Sequence, residues 1–360
     1  MNDVITQADS PRLRPMRDAI AQFLDGDGQG IVTVPESREL GCSSAVLKGM
    51  IRDKTLERVA PGVYVSAALL RSPPQQNQGQ GTSLDTFALA ERQHLLRLDA
   101  ILRLRGKAVA ASHQSAALAW GLPVPSNALE RIHVVHTAQG KTARRRATHS
   151  VHTCELDDVI TQHEGRRLVV PALAVVGLAM EAGLVAGVAG MDAAVRSRRT
   201  TRADLTEMME RLRHSPRLGL ARRALALSDG LAESPGETRL RLVLVELRVA
   251  FRAQHWIRIG TSDVYYRTDF YLLEHGVVLE YDGQVKYAGR EAVTREKTRE
   301  DDLRLEGFGV GRVSAKDLDR DRVRKIIRAA AGQAQAHAKQ RPADPPPWAH
   351  ATQGRPGRPQ

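Results

Sequence analysis

Residues 264–308 read VYYRTDFYLLEHGVVLEYDGQVKYAGREAVTREKTREDDLRLEGF. Two apolar runs, 264–273 and 277–281, flank Glu274-His275-Gly276, where a glycine is free to take a positive φ. The pattern predicts a β-hairpin. Side chains alternate faces along a strand, so Arg267, Asp269 and Tyr271 share one face of the first strand. Val278, Glu280 and Asp282 share one face of the second. With the turn centred between Glu274 and His275, Asp269 falls opposite Glu280. Directly opposed side chains have Cβ atoms about 4.5–5.5 Å apart, and like charges at that spacing repel. A divalent cation held by oxygen ligands is the usual reason for such a pairing. Glu280 also lies in an otherwise apolar run, VVLEYDG, and a buried carboxylate needs a partner.

The segment after the hairpin reads as a helix crowded with charge: Glu296, Lys297, Arg299, Glu300, Asp301, Asp302 and Arg304 sit beside few apolar positions, chiefly Leu303 and Leu305. Gly307 ends it as a cap. Residues 308–313 read as a further strand and Asp317 onward as a terminal helix. Upstream, Ser234-Pro235-Gly236-Glu237 has the form of a capping box, with Ser234 as cap, Pro235 at the first helical position and Glu237 reaching back. Leu240, Leu244 and Leu247 then face the sheet.

These pieces arrive in an order that resembles the PD-(D/E)XK restriction-endonuclease-like superfamily, and within it the branch related to very-short-patch-repair (Vsr) endonuclease. The matching residues are Ser234 through Glu237, Asp269-Phe270, Glu280-Tyr281-Asp282-Gly283 with Lys286, and Arg299 through Gly307, about the last third of the chain. The resemblance implies a mixed sheet flanked by helices and one or two Mg²⁺ or Mn²⁺ ions on Asp269, Glu280 and Asp282. In it Lys286 stabilises charge on the scissile phosphate, and Glu237 lies near the metal. Asp282 stands where the wider superfamily has lysine, and Lys286 where the branch often has histidine. Glu296, Arg299 and Glu300 would complete the wall, with Arg299 on phosphate; a Glu300–Arg304 pair within the helix is the plainer alternative.

At the other end, Met16, Ile20 and Phe23 fall at helical spacing, Pro35 opens a short second helix, and Ser43 or Ser44 can cap a third over 45–54. Two short β runs, 56–59 and 62–65, follow. Helix, helix-turn-helix and wing predict a winged helix-turn-helix, with Ser44, Lys48 and Arg52 on the reading face and Arg58 in the wing. The run GMIRDKTLERVAPGVYV, within residues 15–66, resembles the N-terminal domain of AbiEi-type abortive-infection antitoxins. That resemblance implies double-stranded DNA as partner, or, where the winged helix serves protein contacts, a cognate toxin.

The 360-residue chain can bury a sizeable core, and its formal charge of +12 suits a polyanionic partner. Two cysteines fit a reducing cytosol and exclude a disulfide framework. Neither a leader peptide nor a membrane span is read: the apolar stretch 168–195 carries Pro171, Glu181 and Asp192 and reads as a buried helix pair. The expected location is cytoplasmic. Residues 71–83 read as a linker, 84–230 as an α-rich middle region of AbiEi-like character, 231–335 as the nuclease-like domain and 336–360 as a disordered tail. In the middle, helices are expected over 84–104, 110–122 and 201–226, with a strand at 132–136. KTARRR at 141–146 is either a phosphate grip or a solvated loop. His149, His152 and Cys154 do not make a zinc site by parity, since His149 faces away from the others; His133 and His136 read as ordinary strand residues. The fold class is α/β, α+β across the whole chain. The two functional expectations are a Mg²⁺-dependent DNA endonuclease in phage defence or repair, and an AbiEi-type antitoxin or regulator whose nuclease-like domain is inactive.

Overall fold

The computed structural model describes residues 13–71, 83–137, 142–146, 148–153, 157–260, 264–283 and 290–335. The chain is mixed α/β, as its sequence suggested. No helix among these residues is long and apolar enough to cross a membrane. Two compact units emerge: Met1–Gly190 with Arg198–Leu225, and Met191–Ser197 with Ala226–Gln360.

The first unit begins with α1 (Arg14–Asp25), β1 (Ile31–Thr33), α2 (Val34–Glu39), α3 (Ser44–Arg52), β2 (Leu56–Ala60), β3 (Val63–Ser66) and α4 (Ala67–Arg71). Ile20, Val32, Val46, Leu47, Met50 and Leu56 close a small core between the helices and the sheet. The wing has three strands in the order β1-β3-β2, one more than the two expected. Thr33 and Glu36 form a reciprocal capping box that starts α2. The next helix, α5 (Ser83–Arg105), packs back on the wing region, with Arg97 on Glu57 at 3.1 Å and Arg103 on Glu36 at 2.6 Å. The winged helix and the middle region therefore belong to one unit rather than two. The expected linker lies almost wholly outside the described residues, as does the tail.

The middle region builds a second sheet from β4 (Val109–Ala111), β5 (Ile132–His136), β6 (Arg144–Arg145), β7 (His149–Thr153), β8 (Ile160–His163) and β9 (Arg166–Val169), in the order β6-β7-β5-β4-β9-β8. Its helices are α6 (His113–Ala119), α7 (Pro171–Ala182), α8 (Leu184–Arg196), α9 (Arg202–Arg211) and α10 (Leu218–Leu227). Two expectations need correction. Residues 110–122 are not one helix: Val109–Ala111 is a buried central strand, because it pairs with β5 on one side and β9 on the other. The helix expected over 201–226 is broken, and Arg217, at φ 64°, takes the left-handed conformation just before α10 begins.

The second unit comprises α11 (Pro235–Glu246), β10 (Phe251–Arg258), β11 (Tyr265–Leu272), β12 (Val277–Asp282), α12 (Arg290–Leu305), β13 (Gly309–Ser314) and α13 (Arg320–Ala331). The sheet order is β10-β11-β12-β13, antiparallel except for the parallel pair β12/β13. Gly276, at φ 62°, makes the hairpin turn that the sequence placed there. Strand parity divides the core in two. Leu240 and Leu244 of α11 and Val323 and Ile327 of α13 pack on one face, against Phe270, Leu272, Val277 and Leu279. Leu303 of α12 and Phe308 pack on the other, against Ile257, Tyr271 and Val278. Each such fully buried side chain contributes about 1.5–3 kcal/mol over leaving it exposed. Leu303 gives α12 its anchor, whereas Leu305 is 82% exposed, so the rest of that helix is free to present charge.

Candidate functional site

Strands β11 and β12 pair with Phe270 opposite Leu279, Tyr271 opposite Val278 and Leu272 opposite Val277. The paired register ends there, one step short of Asp269 and Glu280, which continuing it would set opposite each other; both line one cleft. Parity turns both carboxylates to the face that α12 covers. Asp269 accepts a hydrogen bond from the Tyr281 backbone N–H through Oδ2 at 2.8 Å. The two carboxylates open into a cleft of about 680 Å³, which Glu237, Asp282, Glu296, Arg299 and Glu300 also line.

Burial dominates the electrostatics of this cleft. It pushes the Glu280 carboxyl up to about 7; Arg299 opposes the shift, and the charges of Asp269 and Glu296 add to it. Asp269 is likewise raised by burial, against the pull of the Tyr281 N–H. Glu237 is raised by burial, against the N–H of Glu233, with a further push from Asp269.

Glu237 both caps a helix and lines the cleft. Its Oε1 accepts from the Ser234 hydroxyl at 2.9 Å and its Oε2 from the Glu233 N–H at 2.8 Å, while Ser234 Oγ accepts from the Glu237 N–H. It therefore caps α11, and its carboxylate still lines the cleft. The residue that sequence reasoning missed is Gln254. Its Nε2 donates to Glu237 Oε2 at 2.9 Å, and its side chain also hydrogen-bonds Asp269. Gln254 sits inside β10 at φ 50°, an uncommon value for a non-glycine residue. The stretch FRAQHWIR carries charge among its apolar positions, which blurs the alternation that marks a strand.

Arg299, expected on phosphate, is instead a bidentate partner of Glu280, with Nη2 at 2.7 Å from Oε1 and Nη1 at 3.2 Å from Oε2. Its Nη2 also donates to the Arg267 carbonyl, and the guanidinium lies 5.9 Å from the Tyr266 ring centroid. A buried carboxylate attracts the nearest planar cation, which explains the pairing. Arg267 itself turns to Glu233 at 2.7 Å. On α12, Glu300 pairs with Arg304 at 2.6 Å, the plainer alternative, and also with Arg312 at 2.8 Å; Glu296 reaches Arg312 at 3.0 Å. Lys286 lies outside the described residues.

In the first unit, Ser44, Lys48 and Arg52 are exposed along α3 at spacings of four, and Arg58 is exposed on β2 opposite Tyr64. Ser43, not Ser44, occupies the cap position of α3, without a side-chain bond. Of the basic run, residues 142–146 are exposed, and Arg144 and Arg145 form the edge strand β6.

The histidine readings change. His149 does point away from His152, as parity required, and Cys154 lies outside the described residues. His133 is not an ordinary strand residue. Strands β5 and β7 run parallel, with His133 opposite Ser150 and Val135 opposite His152. That register makes His133 and His152 diagonal neighbours on one face, with His133 Nδ1 and His152 Nε2 2.8 Å apart. His113, the first residue of α6, stacks on His152 with ring centroids 3.7 Å apart. A cross-strand register over nineteen residues leaves no local sequence signal.

No family model matches the chain. Two proteins of Mycobacterium tuberculosis are similar to it: the uncharacterized protein MT2308 of strain CDC 1551 / Oshkosh and the uncharacterized protein Rv2248 of strain ATCC 25618 / H37Rv. Each is 28% identical over 166 residues, which cover 46% of this chain and 61% of the relative. The chain thus spans about three fifths of the length of the curated relatives it matches.

Proposed function

We propose that the protein is a Mg²⁺- or Mn²⁺-dependent DNA endonuclease of phage defence or DNA repair, in which the winged helix holds the duplex and the cleft of the second unit hydrolyses a phosphodiester. The observation that carries this reading is the facing pair Asp269 and Glu280 in a cleft that also collects Glu237 and Asp282. These oxygen donors fit a hard divalent cation, which prefers carboxylates over nitrogen or sulfur. When bound, the cation supplies Lewis-acid charge neutralisation for phosphodiester hydrolysis.

The remaining work falls to the chain itself. With Glu280 raised to about 7, its proton is the species a cation would displace near neutral pH. The Tyr281 N–H and Gln254 fix Asp269, and Gln254 ties it to Glu237. Glu280 and Asp269 would hold the cation, and Arg299, no longer needed to balance Glu280, would be the residue that meets a phosphate. Arg299 sits on α12 beside the cleft, on a helix that Leu303 anchors to the sheet.

The bidentate Arg299–Glu280 pair also favours a second reading, the AbiEi-type antitoxin or regulator with an inactive scaffold. An arginine that never leaves Glu280 would satisfy the buried charge without any metal. The deciding experiment incubates the full chain with duplex, mismatched, single-stranded and branched DNA, in Mg²⁺ or Mn²⁺ and in chelator. Cleavage that needs the metal and disappears in Glu280→Gln supports the nuclease; no metal-dependent cleavage of any substrate supports the regulator. Duplex binding is expected under either DNA-directed reading. Lys48→Ala with Arg52→Ala should weaken it and lower the salt slope by about 2, roughly 0.9 per lost phosphate contact. An unchanged slope would remove α3 from the DNA interface.

A further inference from the structure

Nitrogen atoms of His113, His133 and His152 lie within 4.8 Å of one another, one from each ring, in the first unit. The three come from different elements: the first residue of α6, the second of β5 and the fourth of β7. We propose that these imidazoles form a binding site for one borderline-soft divalent transition ion of the zinc class. The site is independent of the carboxylate cleft, and the proposal does not depend on nuclease activity.

Four observations support it. The donor distances suit the ion: two ligands on a tetrahedral centre with bonds of about 2.05 Å stand roughly 3.4 Å apart. The pair at 2.8 Å and the outer limit of 4.8 Å bracket that spacing. A hydrogen bond between His133 and His152 leaves the cluster unsatisfied, because His113 Nδ1 and His133 Nε2 are buried without a partner. His133 is 1% exposed, so bulk water does not meet that need. The backbone at His113 is held at φ 50°, a left-handed value that surrounding structure must enforce. Finally, α7 is notched to receive the ring. A Cβ on Gly177 would lie 2.9 Å from His113 Cγ, so any other residue there would press on the imidazole.

The ligand chemistry follows from the donor set. Neutral imidazoles suit Zn²⁺, Co²⁺, Ni²⁺ or Cu²⁺, whereas Mg²⁺ and Ca²⁺ take oxygen. His113 joins by turning its ring out of the stack on His152. Three protein ligands leave one position open. Glu181, one turn beyond Gly177 on α7, acts electrostatically on His152 and supplies negative charge to offset the ion. Arg131 and Arg145 act on His133 with the opposite sign. The cluster therefore binds more weakly than a four-cysteine site would, and an open coordination position is consistent with exchangeable metal.

Co²⁺ is the informative probe because a tetrahedral nitrogen site gives it intense visible d–d bands and Zn²⁺ then bleaches them. Titration of the full-length wild-type chain should show such bands, saturating at about one Co²⁺ per chain. Glu280→Gln should keep the bands, which separates the cluster from the cleft. His113→Ala and His152→Gln should each weaken Co²⁺ binding at least tenfold, with folding checked by circular dichroism. His113→Ala places alanine at φ 50°, whereas His152→Gln keeps a polar side chain on a regular strand, so it is the variant expected to fold if His113→Ala does not. Absence of the bands in the wild type, or equal binding in a folded His152→Gln protein, would overturn the site and leave a hydrogen-bonded histidine cluster.

Discussion

In the cleft of the second unit, Glu280 shares its burial with a cation: Arg299 grips both carboxylate oxygens, and Asp269 takes a backbone N–H. In the first unit, His113, His133 and His152 share theirs chiefly with one another. Burial favours the uncharged form in both places, but with opposite signs. It raises the acids, Glu280 to about 7, and lowers the bases, His133 to about 3. The cleft thus carries near neutral pH a proton that a hard cation must displace. The histidine cluster carries lone pairs with almost no proton to displace. The same physical cost therefore prepares one region for oxygen-seeking ions and the other for nitrogen-seeking ones.

The largest expected effect concerns cleavage. Glu280→Gln and Asp269→Asn should each reduce metal-dependent DNA hydrolysis by at least about 100-fold, the scale of losing one electrostatic contributor in a water-poor site. DNA binding, measured by fluorescence anisotropy, should be unchanged, since the exposed face of α3 lies in the other unit. A variant that still cleaves would show that the facing carboxylates are structural, and would break the contrast at its acidic end.

The contrast also predicts stability changes of opposite slope with pH. In chelator, Glu280 has a folded value of about 7 against an ordinary 4.5. Its contribution is full below 4.5 and is lost as pH rises through 7, a change on the order of 3 kcal/mol. His149, buried in the first unit, has a folded value of about 4 against an ordinary 6.5, because of burial and then the nearby charges of Arg105, Arg146 and Arg131. Its contribution is full above 6.5 and is lost as pH falls through 4. Denaturant melts between pH 4 and 8 should separate the two. Glu280→Gln should flatten the fall between 4.5 and 7, and His149→Gln the fall below 6.5. If neither variant alters its slope, burial is not what sets these charges.

A smaller effect tests metal in the cleft without a substrate. Mg²⁺ or Mn²⁺ at 10–100 times its Kd should stabilise the wild type by about 1–3 kcal/mol through binding only the folded form. Asp269→Asn should melt higher than wild type in chelator, because it relieves like-charge crowding with Glu280 and Glu237. It should then respond little to metal. Equal responses in thermal melts would take Asp269 out of the site; no response in the wild type would mean that Arg299 satisfies Glu280 permanently.

How far these regions were legible in the sequence depends on distance along the chain. The hairpin was readable because its turn, its alternation and its register are all local: fixing the turn at Gly276 fixed Asp269 against Glu280 by counting. The winged helix was readable for the same reason, apart from β1, which joins the wing from more than thirty residues upstream of its partner β3. Ala110 and Ala111 read as the start of a helix because alanine favours helix locally, and only the two strand partners of Val109–Ala111 override that preference. The histidine cluster was invisible because it depends on a parallel pairing of β5 with β7 and on a notch in α7 sixty-four residues beyond His113. Arg299 was visible as a member of the cleft wall but not as the partner of Glu280, since charge pairing between a helix and a strand follows from packing rather than spacing.

Gln254 offers the finest test, because its strained backbone and its bridging side chain can be separated. Holding a non-glycine residue at φ 50° costs on the order of 1 kcal/mol, and glycine removes that cost. The hydrogen bonds from its amide to Glu237 and Asp269 contribute a similar amount. Gln254→Gly should therefore be close to neutral in stability, within about 1 kcal/mol, because the two effects offset. Gln254→Ala keeps the strain and loses the bridge, so it should be less stable than Gln254→Gly by about 1 kcal/mol. Both should lower metal-dependent cleavage to a similar extent, since both free Glu237 and Asp269 to move apart. Urea melts and cleavage rates on the two variants decide it. If alanine and glycine are equally stable, the left-handed backbone carries no strain. If both cleave like the wild type, the bridge matters only to the cap of α11, and the acidic cleft is held together by Arg299 and the Tyr281 N–H alone.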